Sequence, residues 1–120
     1  MNAHRTLFTL AALFNFVVTG LLVFGNTTTW KLFGLPPPHE TLFVQLFAVF
    51  VALFGAAYFW IARAPDGKRP LIQLCAAGKL TIFVTVVLEH LAGNAPALLI
   101  GPASGDLVFA ILFLRALRSV

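Results

Sequence analysis

The sequence has few charged residues, a single cysteine and no familiar catalytic signature. Only 10% of its 120 residues are Asp, Glu, Lys or Arg, whereas 60% are hydrophobic. Cys75 stands alone, which excludes an intramolecular disulfide and a Cys-x-x-Cys redox motif. The sequence contains no serine-hydrolase elbow, phosphate-binding glycine loop or HExxH motif. No standard enzyme class is therefore indicated, and the sequence does not decide whether the protein is an enzyme.

Four long apolar stretches fill most of the chain. They cover residues 6–24, 41–62, 71–92 and 98–118. About 20 apolar helical residues cross a hydrocarbon core of roughly 30 Å, and the mean hydropathy is +0.96. A soluble domain of this size could not bury so much apolar surface. The sequence therefore predicts an all-α fold, an integral membrane four-helix bundle that contacts the lipid bilayer and forms one transmembrane domain over residues 1–120.

The fourth apolar stretch is the least regular. Glycine and proline interrupt it between Gly101 and Gly105, and residues 107–117 alone are too few to cross a membrane. We expect the fourth helix to be short or broken near Gly101–Gly105, with irregular backbone that protein covers or that lines a wet cavity. In a broken helix, Ser104 or Asp106 would cap the lower half, where a carboxylate is favoured.

Basic residues lie on one side of the four predicted spans. On the opposite side the connections contain only Lys31, so the split is six against one. This bias predicts a multi-pass protein of a bacterial inner membrane with cytoplasmic N- and C-termini. The net charge of +4 then reflects topology, and nucleic acid is not an expected partner. We expect the first stretch to be a retained span because no small-x-small cleavage site precedes Gly25. The six basic residues are Arg5, Arg63, Lys68, Arg69, Arg115 and Arg118.

Three polar residues fall near the predicted bilayer midplane. Counting along the helices places Asn15, Lys79 and Asp106 about 12–18 Å from the side that carries the termini. Because an unpaired lysine is costly in lipid, we predict a Lys79–Asp106 pair that Asn15 joins by hydrogen bonds. The pair could serve only to lock the third helix to the fourth. Alternatively, Lys79 could bind a small anionic or carbonyl ligand, or take part in proton transfer.

A second polar group is predicted at the outer surface. His39 and Glu40 are placed at the start of the second span, and Glu89 and His90 at the end of the third. Imidazoles and carboxylates are plausible metal ligands. Adjacent helical residues point about 100° apart, however, so only one residue of each pair readily faces a shared centre. Favourable charge at the helix ends explains Glu40 and His90 equally well.

Four short motifs follow one another along the chain: Gly55-Ala56-Ala57-Tyr58, Lys68-Arg69-Pro70, Gly78-Lys79 and Gly105-Asp106-Leu107. Their order resembles small bacterial four-helix membrane proteins of the DoxX-like group. The resemblance covers nearly the whole chain and implies the same four-helix fold. Some members of that group are tied to quinone-linked oxidation, so it also implies a quinone as an expected partner, although no residue is assigned to quinone binding.

Three kinds of function stay open at this point. The first is an accessory or small-ligand-binding membrane protein that self-associates, because a homo-oligomer would cover more polar and small-residue surface. The second is a membrane oxidoreductase subunit that uses a quinone or a metal near the outer leaflet. The third is a small transporter or channel, which the absence of an inverted repeat disfavours and an interrupted fourth span favours. No cofactor can be assigned from the sequence.

Overall fold

The computed structural model describes residues 3–120, and this range contains helices and no strands. Four segments are long and apolar enough to cross a membrane: Ala3–Phe24, Leu42–Arg63, Arg69–Leu91 and Ala97–Ser119. The predicted all-α membrane bundle is therefore confirmed. The helices are α1 (Ala3–Phe24), α2 (Thr27–Leu32), α3 (Leu42–Arg63), α4 (Arg69–Leu91) and α5 (Ile100–Ala116), and 3-10 turns at Ala97–Leu99 and Leu117–Ser119 extend α5 at both ends.

Local sequence explains where the shorter connections turn. Asn26 caps α2 through a capping box, in which its side chain accepts from the Thr29 amide and the Thr29 hydroxyl accepts from the Asn26 amide. Pro70 lies in the first turn of α4, where its missing N–H costs nothing. Gly67 adopts a φ of 76° in the turn before α4, a conformation that glycine takes without strain.

The fourth spanning segment is short in its α-helical part, but it is not broken. α5 has 17 residues and runs without interruption through Gly101–Gly105. Pro102 is tolerated because it lies in the first turn of α5, where a backbone N–H would have no partner within the α-helix. The Ser104 hydroxyl donates to the Ile100 carbonyl at 2.6 Å, so Ser104 lies inside the helix and does not cap it. The predicted break, and the cap by Ser104 or Asp106, are therefore wrong.

The helices pack as two pairs, α1 on α3 and α4 on α5. The two pairs share a closed core in the half of the bundle that carries both chain ends, which we call the terminal half. There the rings of Phe8 and Phe113 stack with centroids 4.6 Å apart, and the Tyr58 ring packs against Phe113. The buried residues of this core are Phe8, Ala11, Ala12, Tyr58, Ile61, Ala62, Ile72, Cys75, Ala76, Phe113, Ala116 and Leu117.

Polar contacts tie the chain ends together at the terminal half. His4 Nε2 and Ser119 Oγ are 2.8 Å apart, and the Arg69 guanidinium donates to the carbonyls of Leu117 and Val120. At the other end of the bundle, Gly34 lies directly against the residues that lead into α5. The six basic residues that the sequence places on one side of the membrane lie in the terminal half, and Lys31 lies at the other end of the bundle.

Candidate functional site

A cavity of about 1120 Å³ occupies the half of the bundle away from the chain ends. All four spanning segments line it, and Trp30, Phe33 and Leu35 cover its outer end. On each spanning helix the lining residues continue toward the terminal half as far as the closed core. The inner end lies near the middle of α1 and α5, at Phe14 and Asp106, and further into the terminal half on α3 and α4, at Tyr58 and Leu74. We call this inner end the floor.

The walls of the cavity are apolar because α3 presents phenylalanine at helical spacing. Phe43, Phe47, Phe50 and Phe54 recur at steps of 4, 3 and 4 residues, which places them on one helical face, and all four line the cavity. The α4 wall has small residues in its middle, Ala77 and Gly78 among them. Bulky side chains on one helix and small ones on the other leave the intervening space unfilled.

The cavity is not closed by protein on every side. Phe47, Phe50 and Leu74 line it and are nevertheless exposed side chains. Since α3 and α4 both have the length and composition of membrane spans, this opening faces the acyl chains of a bilayer. The apolar interior and the surrounding lipid are thus continuous.

Lys79 lies at the floor of the cavity with only 3% of its side chain exposed. Its ammonium group donates to Asn15 Oδ1 and to Asp106 Oδ1, each at 2.8 Å. The ring centroids of Phe14, Tyr58 and Phe109 lie 4.6, 5.2 and 5.3 Å from the same nitrogen. Burying a charge costs a great deal unless it is paired, and here one carboxylate, one amide oxygen and three aromatic faces compensate the cation.

Asn15 connects this cluster to α3. Its side-chain nitrogen donates to the Val51 carbonyl at 3.0 Å while its oxygen accepts from Lys79. The Thr19 hydroxyl donates to the Asn15 backbone carbonyl one turn further along α1. Through Asn15, Val51, Lys79 and Asp106, the hydrogen bonds of the cluster join all four spanning helices.

Asp106 retains an oxygen without a protein donor. Its Oδ1 accepts from Lys79, whereas its Oδ2 accepts no hydrogen bond from residues 3–120. The carboxylate lines the cavity and its side chain is 15% exposed. No side-chain oxygen or nitrogen in the described chain is both fully buried and unpaired, so Oδ2 keeps access to the cavity space. The floor thus offers an incoming molecule a hydrogen-bond acceptor.

The structure brings Asn15, Lys79 and Asp106 together, as the depth count predicts, but it does not assemble the outer histidines and carboxylates. His39 and Glu40 precede α3, which begins at Leu42, and so they do not open the helix. Within residues 3–120, no group of three or more His, Cys, Asp or Glu side chains could hold a metal ion. Glu89 and His90 lie in the last turn of α4, where His90 Nδ1 donates to the Ala95 carbonyl at 2.8 Å.

The sequence predicted a cavity only at a broken fourth helix, and it did not reveal the large apolar cavity among all four spanning segments or the aromatic rings around Lys79. The spacing of the α3 phenylalanines could have indicated one wall of the cavity, because it places them on one helical face. The three rings near the ammonium come from Phe14, Tyr58 and Phe109 on three different helices, and no local pattern links them.

Comparison with known proteins gives limited similarity. The chain matches no protein-family model and no solved structure. It is 32% identical over 71 residues to the plasma membrane ascorbate-dependent reductase CYBRD1 of Xenopus tropicalis, covering 48% of this chain and 25% of that protein. It is 31% identical over 68 residues to the Homo sapiens protein of the same name, covering 45% and 24%. The chain thus spans about a quarter of the relatives' length, and the comparisons do not confirm the DoxX-like resemblance.

Proposed function

We propose that this protein binds a small apolar molecule from the bilayer, which enters the cavity with one compact polar head directed at the floor. The observation that carries the proposal is the position of the Lys79–Asp106 pair at the closed end of an apolar cavity of about 1120 Å³. Small-molecule sites in proteins are typically mostly apolar clefts of about 300–1,000 Å³ with a few convergent polar groups. The cavity matches that description in its lining and is slightly larger than this range.

A purely structural role explains this arrangement less well. An ion pair that only locked α4 to α5 would need no space beside it, and packing around it would be expected to be tight. Here the carboxylate lines the cavity, and one of its oxygens has no donor among residues 3–120. Ionisable groups inside the bilayer are costly and usually serve a function.

The shape of the cavity favours sideways entry from lipid. Exposed lining side chains on α3 and α4 leave the cavity open toward lipid there, while Trp30, Phe33 and Leu35 line its outer end. In the terminal half, the fully buried side chains of Phe8, Ile61 and Phe113 close the bundle. Residues 3–120 therefore form no continuous aqueous path from one membrane face to the other. The proposed site suits binding better than conduction.

A second candidate function is a membrane oxidoreductase subunit that uses a quinone. Its support is the 32% and 31% identity to two ascorbate-dependent reductases of the plasma membrane, together with the DoxX-like pattern of motifs. A quinone is an apolar bilayer molecule with a compact polar head, and the cavity suits a molecule of that kind. The same cavity therefore serves both candidates, which differ in whether electrons are exchanged with the bound molecule.

The proposed setting is a bacterial inner membrane, with both termini cytoplasmic and residues 1–120 forming one transmembrane domain. The concentration of basic residues at the terminal half supports this orientation, because positive residues favour the cytoplasmic side. Self-association is also proposed, since many large apolar side chains on the outer surfaces of the helices are exposed and available for packing.

Purification in a mild detergent tests the proposal, with metal content, absorption spectrum and organic extract measured on one sample. We expect the wild type to retain an apolar compound that a cavity-filling Ala77→Phe variant loses. Leu80→Phe is the matched control, because Leu80 lies on the same helix but does not line the cavity. If wild type and Ala77→Phe give the same extract, the proposal is wrong. A stoichiometric quinone or chromophore would favour the oxidoreductase candidate.

A further inference from the structure

We infer that the polar head of the bound molecule is a neutral hydroxyl that donates its hydrogen bond to Asp106 Oδ2. The inference rests on the proposed function and narrows its ligand to apolar compounds that bear a hydroxyl, such as alkylphenols and hydroquinones. It predicts weaker binding of anions, cations and heads with acceptor atoms only, such as ethers and the oxidised quinones.

The first step concerns the unpaired carboxylate oxygen. An ionised carboxylate is acceptor-only and has about four lone-pair positions on its two oxygens. Lys79 donates to Oδ1 of Asp106, and Oδ2 accepts nothing from residues 3–120. A polar atom at membrane depth that lacks a partner costs free energy. A molecule entering the cavity with a hydroxyl would give Oδ2 the donor that it lacks.

An anionic head does not fit, although Lys79 carries a positive charge. Only 3% of the Lys79 side chain is exposed, because two oxygens and three aromatic rings already surround the ammonium. An anion arriving from the cavity would instead meet the Asp106 carboxylate, whose charge repels it. The small anionic ligand expected from the sequence is therefore disfavoured, because the Asp106 side chain is more exposed than the Lys79 side chain.

A cationic head does not fit either. The Lys79 ammonium lies 2.8 Å from Asp106 Oδ1 and already balances the carboxylate. A second cation on Oδ2 would lie within a few ångströms of that ammonium, and like charges repel strongly where water is scarce. A neutral donor makes the hydrogen bond to Oδ2 without this repulsion.

The walls near the floor favour an aromatic body behind the hydroxyl. Phe14, Phe54 and Tyr58 line the cavity, the rings of Phe14 and Tyr58 lie 4.6 and 5.2 Å from Lys79 Nζ, and aromatic pairs are favourable beyond the area that they bury. A phenol carries its hydroxyl directly on a ring and can place the ring among these side chains. 4-Nonylphenol is therefore a suitable probe, and 4-nonylanisole differs from it only by methylation of the hydroxyl.

Competition binding tests the inference on full-length protein in lipid nanodiscs. Tritiated 4-nonylphenol is displaced by unlabelled 4-nonylphenol or by 4-nonylanisole, with each concentration expressed per lipid. Because hydrogen bonds to charged groups contribute about 1.5–3 kcal/mol, the phenol should bind at least about tenfold more tightly than the ether. This comparison uses the wild type alone and does not depend on the folding of any variant.

The Asp106→Asn variant adds a test of the acceptor itself. Its amide oxygen can still accept from Lys79, which leaves an N–H donor where Oδ2 stood, so the preference should shift toward the ether. An unchanged preference in a folded Asp106→Asn protein would show that Asp106 is not the acceptor.

Two other outcomes separate this inference from the proposed function. Equal affinity of the wild type for phenol and ether overturns the hydroxyl assignment while leaving the cavity proposal in place. Absence of saturable binding to the wild type, or equal binding to the wild type and Ala77→Phe, overturns both. Leu80→Phe should bind the phenol as the wild type does.

Discussion

Lys79 Nζ lies 2.8 Å from Asp106 Oδ1 across the interface between α4 and α5, at the closed end of the apolar cavity. The contact compensates two charges that would be costly to bury separately. It also leaves the second oxygen of the carboxylate accessible to the cavity. One pair thus contributes both to helix packing and to the polar surface of the proposed binding site.

Removing one member of this pair should destabilise the protein more than removing both. Lys79→Met leaves the Asp106 carboxylate without its cation, and breaking a buried pair from one side typically costs about 3–5 kcal/mol. The double variant Lys79→Met/Asp106→Leu leaves no unpaired charge, so its melting temperature in the same detergent should exceed that of either single variant. Single variants as stable as the wild type would show that the pair does not stabilise the fold.

Replacing Asn15 should weaken the contact between α1 and the rest of the bundle. Asn15→Leu removes the hydrogen bonds to Lys79 and to the Val51 carbonyl, and a lost bond to a charged group costs about 1.5–3 kcal/mol. Thr19→Val is the control, because it removes only a bond to a carbonyl of the same helix. Thermal unfolding should show a clear loss for Asn15→Leu and little for Thr19→Val. Equal losses would contradict the assigned role of Asn15.

Two glycine-to-alanine substitutions should have opposite effects on stability. A Cβ on Gly55 would lie 3.0 Å from Phe16 Cε1 and 3.2 Å from Asn15 Cβ, whereas a Cβ on Gly20 meets nothing within 4 Å. Gly55→Ala should therefore destabilise the α1–α3 interface by about 1–3 kcal/mol. Gly20→Ala should be neutral or stabilising by about 0.4–1 kcal/mol. The measurement is thermal unfolding, and a Gly55→Ala protein at least as stable as Gly20→Ala would refute this close approach.

The topology can be tested with reporters that work on one side of the membrane only. A fluorescent protein fused after Val120 should be bright in a bacterial host, and alkaline phosphatase at the same position should be inactive, because the basic terminal half is predicted to be cytoplasmic. Alkaline phosphatase fused after Leu35 should be active. Active phosphatase after Val120 would reverse the orientation.

Some features of this fold depend on short stretches of sequence and could be predicted from them. The four apolar helices follow from the length and composition of each segment alone. The depth count placed Asn15, Lys79 and Asp106 at one level because the rise per helical residue is constant. The predicted break at Gly101–Gly105 is wrong, because Pro102 falls in the first turn of α5, where a proline does not interrupt a helix.

Other features depend on how whole helices are arranged. The position of His39 and Glu40 depends on where the chain enters α3, and the non-helical segment after Gly34 continues to Thr41 before the helix begins. The cavity arises because α1–α3 and α4–α5 pack as separate pairs that share a core only in the terminal half. The unpaired Oδ2 of Asp106 in turn depends on that open space.

Native mass spectrometry of the protein released from its own membrane tests the central claim most directly, because it reports the mass and stoichiometry of whatever remains bound. We predict that wild type and Leu80→Phe each carry one apolar, hydroxyl-bearing molecule per chain and that Ala77→Phe carries none. The same bound masses on all three proteins, or no bound molecule on the wild type, would contradict the claim that the cavity above Lys79 and Asp106 is a ligand-binding site.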